Sequence, residues 1–243
     1  MSRRWWGAGF AVLALAAAGI AATAVDRGWV HLHDPPLTEF PIQGLDVSHH
    51  QGAVDWAAVA GTSRFRFVWI KATEGGDWAD PRFAENWRGA TAAGLDVGGY
   101  HYFTLCTPGR VQADWFLRAL PADGALPPAV DLEHLGNCGE PPSREVVRAE
   151  VRAFLDAVDA ATGRSTVVYT TRRFHRTILG DAVDDHRLWL RDVFLRPSDL
   201  DGWPWEVWQY LSRGRVPGID GFVDQNAFRL DEAQYSSFLR KTP

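Results

Sequence analysis

Short apolar runs alternate with stretches of helical periodicity between residues 42 and 230. The apolar runs are rich in β-branched and aromatic residues and are bounded by Gly, Pro or polar residues, which is typical of strands. They predict eight strands, at residues 42–47, 65–72, 97–103, 129–133, 166–170, 188–193, 206–210 and 222–225.

Amphipathic stretches at residues 54–60, 81–93, 109–120 and 143–161 predict helices in the early gaps between these strands. Strands separated by helices pair in parallel through right-handed crossovers, and eight such strands favour a closed barrel. The later connections are too short for full helices. The chain therefore predicts an α/β fold, an irregular (β/α) barrel with five helix-linked strands and three further strands.

The N-terminal segment has a different pattern. Arg3 and Arg4 precede an uncharged run of 19 residues, 7–25, as in an export signal, and Ala22-Thr23-Ala24 suits a cleavage site. As a helix the run is about 28 Å long, close to the ~30 Å thickness of a bilayer core, so an uncleaved anchor is an equally good interpretation. We expect an exported protein, periplasmic, in the cell envelope or secreted, with three parts: a signal peptide or N-terminal membrane anchor at 1–25, a polar linker at 26–41 and the barrel at 42–243.

Composition and net charge indicate which kinds of molecule the chain can bind. Of the 243 residues, 46% are hydrophobic and 23% charged, which fits one globular domain, and the formal net charge is −5. An acidic chain without basic runs lacks the cationic stripe that binds phosphates, so nucleic acid is excluded as a partner. The 12 Trp residues can fill a core or stack on sugar rings. We expect a monomer.

Two carboxylates close the fourth predicted strand, at Asp131 and Glu133. Side chains at i and i+2 share one face of a strand, so both acids face the same way. Two unpaired acids at a buried strand end cost several kcal/mol, and a salt-bridged strand end is one explanation. The other is catalysis, because burial and a neighbouring charge raise the pKa of one carboxyl and keep its proton available near neutral pH.

Side chains at the carboxyl ends of parallel barrel strands line the functional site, whereas the opposite face is structural. By this rule Asp46 of the first strand and Asp224 of the last join the acid pair at one mouth, and Asp96, which precedes its strand, is excluded. Carboxylates mixed with aromatic, amide and hydroxyl groups suit a carbohydrate, whose rings stack and whose hydroxyls need hydrogen bonds. The other side chains expected at this mouth are Lys71, Glu74, Tyr100, His101, Tyr169, Trp208, Gln209 and Tyr210.

Seven motifs occur in order along the chain: DVSHHQG at 46–52, WIKATEG at 69–75, GYHYF at 99–103, DLE at 131–133, VYT at 168–170, WQY at 208–210 and GIDGFVDQN at 218–226. Together they closely resemble the glycoside hydrolase family 25 lysozymes, over roughly residues 42–230. Each motif is weak by itself, whereas the ordered set is specific.

The resemblance implies a glycosidase that needs no cofactor and cleaves the β-1,4 bond between N-acetylmuramic acid and N-acetylglucosamine in peptidoglycan. Glu133 corresponds to the family's catalytic acid and Asp131 to its partner carboxylate, while Asp46 and Asp224 match the remaining acids of the pocket. Such a pair fits the chemistry, because one carboxyl protonates the leaving oxygen and a second group stabilises the developing positive charge. In this family the second group is thought to include the substrate's 2-acetamido group. Direct attack by an enzyme carboxylate on the sugar is the alternative mechanism, and the sequence does not decide between the two.

The substrate-binding residues we expect are Tyr100, Tyr169, Trp208, Gln209, Lys71 and Glu74.

Two positions depart from the family pattern. Where the sixth strand of the family commonly reads Leu-Trp-Leu-Ala-Arg-Tyr, this chain has LWLRDV at 188–193, so one expected pocket Tyr is missing. Gln225 also replaces a usual apolar residue. Neither departure removes a catalytic acid, but the first affects the expected muramic acid subsite.

Two hypotheses from other functional classes are alternatives to the muramidase hypothesis. His49, His50, His101 and His134 lie near the predicted mouth and could ligate a metal for a peptidoglycan amidase or deacetylase. The chain could also be a non-catalytic glycan-binding module on a degenerate lysozyme scaffold. Retention of all four acids argues against that module, because a binder needs no proton donor.

The two cysteines, Cys106 and Cys138, follow the third and fourth predicted strands, so both should lie in adjacent loops on the catalytic face. An exported chain meets an oxidising compartment. We therefore expect a disulfide between them.

Overall fold

A computed structural model describes residues 3–27, 29–133, 138–140, 142–197, 203–229 and 231–239, except for the side chains of residues 3–12, 14 and 26. Within these residues nine strands form one sheet. Their bounds are β1 Gln43–Val47, β2 Phe65–Glu74, β3 Trp78–Ala79, β4 Asp96–Tyr102, β5 Ala129–Leu132, β6 Val167–Thr171, β7 Arg187–Arg191, β8 Trp205–Gly214 and β9 Val223–Phe228.

The sheet closes into an eight-stranded barrel, with the two-residue β3 added outside it. The strand order is β1-β9-β8-β7-β6-β5-β4-β2-β3, and β1 also pairs with β2 to complete the circle. Strands β1, β2 and β4 to β8 run parallel, whereas β9 is antiparallel to both of its neighbours. All eight predicted strands are confirmed. The reversed direction of β9 follows from the short connection after β8, which cannot make a crossover.

Seven helices accompany the strands in the described residues: α1 Arg3–Asp26, α2 Trp56–Gly61, α3 Phe83–Ala92, α4 Gly109–Ala119, α5 Arg144–Thr162, α6 Arg172–Phe174 and α7 Glu232–Leu239. Helices α2 to α5 connect β1, β2, β4, β5 and β6, so the predicted five helix-linked strands are confirmed. The prediction missed α7 and the irregular turns at His175–Leu179 and Gly180–Val183 that continue α6.

Helix α5 shows how local sequence sets an element. The Ser143 side chain accepts a hydrogen bond from the Val146 amide, and Gly163 ends the helix with a φ of 65°. Both features match the expected roles of Ser at the N-terminus and Gly just past the C-terminus of a helix. The apolar face between these caps, which includes Phe154, is buried against the barrel.

Large aromatic side chains fill the barrel interior. Trp69 of β2 and Trp189 of β7 stack with their ring centres 4.7 Å apart, although their strands are not neighbours in the sheet. At the end opposite the carboxyl termini of the parallel strands, Phe238 of α7 packs on this layer and the Tyr235 hydroxyl donates to Asp96 at 2.8 Å. Asp96 therefore belongs to the structural face, as predicted, and α7 covers that face.

The segment expected to be a linker, residues 26–41, is mostly exposed but contacts the barrel through Pro35 and Phe40, which are buried. Phe40 is buried in the main core cluster, and the Gln43 side chain donates to the Pro35 carbonyl at 2.7 Å. Within the residues whose side chains are described, no helix is long and apolar enough to cross a membrane. The signal peptide or membrane anchor at residues 1–25 stays a prediction. The division of the chain at residues 25 and 41 stays a prediction.

Candidate active site

A cleft of about 680 Å³ opens at the carboxyl ends of the parallel strands. All four predicted acids line it, and so do five of the six predicted binding residues. Its described lining consists of Asp46, Val47, Ser48, His50, Gln51, Lys71, Glu74, Tyr100, Tyr102, Asp131, Glu133, Tyr169, Gln209 and Asp224.

Asp224 reaches this mouth by a different route from the other acids. It is the second residue of β9, and the reversed direction of that strand brings its first residues to the end where the parallel strands finish. The expectation that site residues sit at carboxyl ends of strands therefore applies to Asp46, Asp131 and Glu133. For Asp224 the antiparallel pairing produces the same location.

Strand alternation divides the residues of β4. Tyr100 and Tyr102 face the cleft, whereas His101 between them points into the layer between barrel and helices. There its ring stacks on Phe154, and its nitrogens hydrogen-bond Thr73 and Gln112. Burial lowers the pKa of His101 to about 3, so the ring is neutral. The prediction that His101 lies at the mouth is wrong, and Tyr102, two residues after Tyr100, was missed.

The same alternation corrects two predictions in β8. Gln209 faces the cleft, but Trp208 and Tyr210 point outward and are buried at 2% and 1% exposure. The Trp208 indole donates to the Asp192 carbonyl and packs against Phe40. Trp208 therefore supports the barrel wall, in a position that a sugar ring does not reach, rather than binding substrate.

Asp46 is held at the cleft floor by two amide groups. Its Oδ2 accepts hydrogen bonds from Gln209 Nε2 at 3.0 Å and Asn226 Nδ2 at 2.8 Å. These amides are fixed in turn, because Gln209 accepts from the Tyr169 hydroxyl and Asn226 accepts from the Trp189 indole. Burial raises the pKa of Asp46 to about 6, and the two amide donors limit the rise.

Asp131 and Glu133 share the inner face at the end of β5. Burial, followed by the charge of Glu133, raises the pKa of Asp131 well above its ordinary value. Burial also raises the pKa of Glu133, while Arg191 and Lys71 counteract the rise. Asp131 Oδ1 is buried and has no hydrogen-bond partner among the described residues. An acceptor in that state costs free energy unless a ligand supplies a donor.

Two tyrosines complete the cleft walls as hydrogen-bond donors. Burial and the nearby carboxylates raise the pKa of both Tyr100 and Tyr169 well above the ordinary value for tyrosine. Both hydroxyls are therefore protonated at neutral pH. Tyr169 already donates to Gln209 at 3.0 Å.

An ion pair forms the far wall of the cleft. Lys71 Nζ lies 2.6 Å from Glu74 Oε2, and a bulge in β2 between residues 71 and 73 lets both side chains face the cleft. The same ammonium lies 4.9 Å from the ring centre of Trp78 and 4.7 Å from that of Tyr102. Aromatic faces attract a cation at such distances. This wall of the cleft therefore combines an ion pair with the flat faces of two aromatic rings.

Arg191 was missed as a site residue, although strand alternation could have found it. It follows Trp189 by two residues in β7, so both side chains share the inner face. Its Nη2 lies 3.1 Å from Ser212 Oγ. The guanidinium charge lowers the pKa of Glu133, Asp46 and Asp224 relative to burial alone, so Arg191 is close enough to act on the acids.

The histidines proposed as metal ligands do not form one group, although the rings of His49 and His50 lie 4.0 Å apart. His101 is buried in the helix layer, and His49 Nδ1 lies 2.9 Å from Asp80 Oδ2. His134 lies outside the described residues. Within the part of the chain that is described, no three His, Cys, Asp or Glu side chains are grouped as a metal site requires.

The departures in β7 and β9 have local explanations. Asp192 pairs with Arg172 at 2.6 Å, and Val193 is buried. Gln225 points away from the cleft, and its Oε1 accepts from the Tyr210 hydroxyl at 2.8 Å. The Gln225 side chain therefore has a hydrogen-bond partner at that position and does not alter the cleft.

The predicted disulfide is confirmed. Cys106 and Cys138 are bonded, with their Cα atoms 5.5 Å apart and a sequence separation of 32. Because Cys106 follows β4 and Cys138 follows β5, the bond joins two adjacent loops on the side of the barrel where the cleft opens.

The chemical capacity of the cleft follows from these contacts. Buried carboxyl groups with raised pKa values can hold a proton near neutral pH, and an adjacent carboxylate can stabilise positive charge. Tyrosine hydroxyls, amides and an ion pair provide donors and acceptors for a substrate rich in hydroxyl groups. The cleft is therefore suited to acid-assisted cleavage of a glycosidic bond.

Comparisons with known proteins agree with this geometry. The sequence model of glycosyl hydrolases family 25 matches residues 45–219. Lysozyme M1 of Streptomyces globisporus is 34% identical over 220 or so aligned residues, covering 85% of this chain and 74% of its own. YegX of Escherichia coli O157:H7, an uncharacterised protein, is also 34% identical and covers 87% and 79%. The family 25 glycosyl hydrolase of Bacillus anthracis superposes with a TM-score of 0.80 at 31% identity, covering 87% of this chain and 98% of that structure.

Proposed function

Because this chain belongs to glycosyl hydrolase family 25, we propose that it acts as a muramidase on the β-1,4 bond between N-acetylmuramic acid and N-acetylglucosamine. Membership of the family identifies the chain as a glycosidase, and its similarity to lysozymes supports peptidoglycan as the substrate. Peptidoglycan lies outside the cytoplasmic membrane, so we place the activity in the cell envelope or the extracellular space.

Glu133 is the proposed general acid. It lines the cleft directly after β5, and burial raises its pKa, so a larger fraction of the carboxyl is protonated near neutral pH. Glu carries one methylene more than Asp and reaches further over the mouth. A protonated Glu133 can therefore transfer its proton to the departing glycosidic oxygen, which makes that oxygen a better leaving group.

Asp131 is the proposed partner carboxylate. Its buried Oδ1 is the observation that carries this proposal, because the oxygen has no hydrogen-bond partner among the described residues and lies beside the proposed acid. The N–H of the substrate's 2-acetamido group can supply the missing donor. Held in this way, the acetamido oxygen is oriented toward the anomeric carbon. Because the Glu133 charge is one of the causes that raise the pKa of Asp131, a protonated Glu133 favours an ionised Asp131, whose charge stabilises the positive charge that develops on that carbon.

Asp46, Asp224 and the aromatic walls have supporting roles in this proposal. The pair of acids on β1 and β9 keeps negative potential under the sugar, which favours an oxocarbenium-like transition state. Tyr100, Tyr169 and Gln209 offer donors and acceptors to sugar hydroxyls, while Lys71 and Glu74 do so on the opposite wall. None of these roles needs a metal or cofactor.

Analysis of newly formed ends tests the proposal. Purified peptidoglycan is digested with the protein, the new reducing ends are reduced with borohydride, and the products are identified by mass spectrometry. We expect muramitol ends. Glucosaminitol ends would show cleavage of the other glycosidic bond, and unreduced 1,6-anhydro ends would show a lytic transglycosylase. A parallel digest with Glu133→Gln, which should release almost nothing, controls for contaminating hydrolases.

A further inference from the structure

An exposed tryptophan stands at the rim of the catalytic cleft. Trp78 forms the short strand β3 together with Ala79, and 37% of its surface is exposed. In the hairpin it is paired directly with Glu74, which lines the cleft. Directly paired residues of antiparallel strands have their side chains on the same face, so the Trp78 ring lies beside the cleft wall.

The neighbours of the Trp78 ring have partners of their own. Lys71 Nζ lies 4.9 Å from the ring centre and is paired with Glu74 Oε2 at 2.6 Å. The His49 ring lies 5.2 Å away, and His49 Nδ1 lies 2.9 Å from Oδ2 of the buried Asp80. The exposed part of the Trp78 ring is therefore a flat apolar surface next to an ion pair.

The hairpin that carries Trp78 is anchored on helix α4. The Trp115 indole donates a hydrogen bond to the Trp78 carbonyl at 2.9 Å. Val111, which is 48% exposed, lies against Gly76 in the turn of the hairpin and extends the apolar surface. The surface is thus formed before a ligand arrives, so binding requires little ordering of the chain.

The rim is separated from the proposed reaction centre. The acid pair lies at the end of β5, and β4 lies between β5 and β2 in the sheet. Neighbouring strands are about 4.8 Å apart, so β2 is about 10 Å from β5 along the sheet. A glycan strand that reaches both the acids and Trp78 therefore extends beyond the two sugars that flank the cleaved bond.

A pyranose ring is the ligand that fits this surface. The C–H groups on one side of such a ring form an apolar face that packs on an aromatic ring, and tryptophan offers the largest aromatic face among the side chains. The hydroxyl and acetamido groups at the edge of the sugar need donors and acceptors. The Lys71 ammonium and the Glu74 carboxylate lie next to the ring and can supply both.

We propose that Trp78 forms a sugar-stacking subsite at the rim, which binds a unit of the glycan strand outside the cleft and favours long strands over short ones. This inference rests on the proposed muramidase function and adds a preference for chain length to it.

Direct binding tests the subsite independently of turnover. Every variant is made in the Glu133→Gln background, and dissociation constants are measured by NMR titration with peptide-free oligomers of alternating N-acetylglucosamine and N-acetylmuramic acid. The probes are a disaccharide, a tetrasaccharide and an octasaccharide. Trp29→Ala, at an exposed tryptophan in the segment before the barrel, is the matched control, and circular dichroism verifies folding.

We expect Trp78→Ala to weaken binding of the octasaccharide roughly tenfold, as for loss of one stacked ring, and to leave binding of the disaccharide unchanged. Trp78→Tyr keeps a flat ring and should recover most of the loss. The proposal is overturned by an equal loss on the disaccharide and the octasaccharide, by no loss on the octasaccharide, or by a Tyr variant as weak as the Ala variant.

Turnover gives a second measurement that a general loss of stability would not reproduce. With Glu133 retained, kcat/KM of the wild-type protein should rise with the length of the oligomer, and Trp78→Ala should abolish most of that rise through KM while kcat on the longest oligomer stays near wild type. If the Trp78 variants alter octasaccharide binding as expected but wild-type protein releases no muramitol ends, the muramidase assignment fails while the subsite stands.

Discussion

Asp46 and Asp224 are directly paired residues of the antiparallel strands β1 and β9, so the buried Asp46 carboxyl and the partly buried Asp224 carboxyl face each other under the cleft. Asp46 accepts hydrogen bonds from two amides, and these stabilise its charged form. Asp224 has its pKa raised well above the ordinary value, first by burial and then by the Asp46 charge. Burial and the Asp46 charge thus favour the protonated form of Asp224, which can donate a hydrogen bond to Asp46.

Because of this pair, we expect the free energy of unfolding to decrease as pH rises. A carboxyl whose pKa is raised on folding stabilises the fold fully below its unfolded pKa, near 3.8 for Asp, and the contribution is lost as pH rises through the folded pKa. For Asp46 the folded value is about 6. The free energy of unfolding should therefore fall as pH rises from about 4 through neutrality.

Asp224→Asn should stabilise the protein at pH 7. The Asn amide can donate to Asp46 as the protonated carboxyl does, but it needs no proton to be taken up on folding. We expect a gain of about 1–2 kcal/mol, or a Tm increase of roughly 2–8 °C, which shrinks at pH 4 where the wild-type pair is protonated. Differential scanning calorimetry at both pH values measures it. Asp123→Asn, at an exposed loop, is the control, and an equal gain at both pH values would contradict the assigned proton.

Glu133→Gln should abolish most turnover without unfolding the protein. Glutamine keeps the shape of the side chain but cannot donate a proton to the leaving oxygen, and loss of a general acid costs about 10²–10⁴-fold in rate. Asp131→Asn should also be severely impaired, because the acetamido group loses its charged partner. Rates are measured by release of soluble muropeptides, with circular dichroism to verify folding.

Glu85→Gln, the same change on the exposed surface of α3, should retain wild-type activity. A folded Glu133→Gln variant that digests peptidoglycan at a rate near that of wild type would mean that the proton donor is another residue.

Removal of the disulfide should lower stability rather than turnover. The bond between Cys106 and Cys138 closes a loop of 32 residues in the unfolded chain, and losing that restraint costs roughly 3–4 kcal/mol by loop-closure entropy. Urea unfolding of the double variant Cys106→Ser/Cys138→Ser should show this decrease, with an m-value equal to or above that of wild type because the unfolded chain without the bond is less compact. Intact-mass analysis of wild-type protein alkylated without reductant is the control, because two alkylated cysteines would show that no bond had formed.

His186 should stabilise the fold in acid more than in base. Burial by itself would lower its pKa, but hydrogen bonds to Asp159 and Asp185, at 3.0 and 2.8 Å, raise it. The stability from the charged ring is present in full below the unfolded pKa near 6.5 and is lost as pH rises through the raised folded value.

His186→Gln should therefore cost about 1–3 kcal/mol at pH 5.5 and clearly less at pH 9. Thermal unfolding at both pH values measures the difference, and His31→Gln, at an exposed position, should change neither. A loss that is the same at both pH values would show that packing, and not charge, accounts for the role of His186.

Local signals in the sequence were enough to predict the succession of strands, the helices that connect the first five of them, and the four acids that line the cleft. Apolar runs and capping residues such as Ser143 and Gly163 are local signals, so they can be read without knowing what packs against them. Parallel topology then places the ends of β1 and β5 at one mouth, which is enough to bring Asp46, Asp131 and Glu133 together.

Which side chain of each strand faces the cleft could be read only from the packing of the barrel. In this barrel both faces of most strands are buried, one in the interior and one under the helices. Apolar and polar residues therefore do not alternate along these strands, and the sequence does not indicate which side chains point into the barrel. For that reason Trp208 was expected to bind sugar but supports the wall. Tyr102, which lines the cleft, and Arg191, whose charge acts on the cleft acids, were not predicted. The reversal of β9, which brings Asp224 to the mouth from the strand's other end, likewise follows from a pairing between residues far apart in the chain.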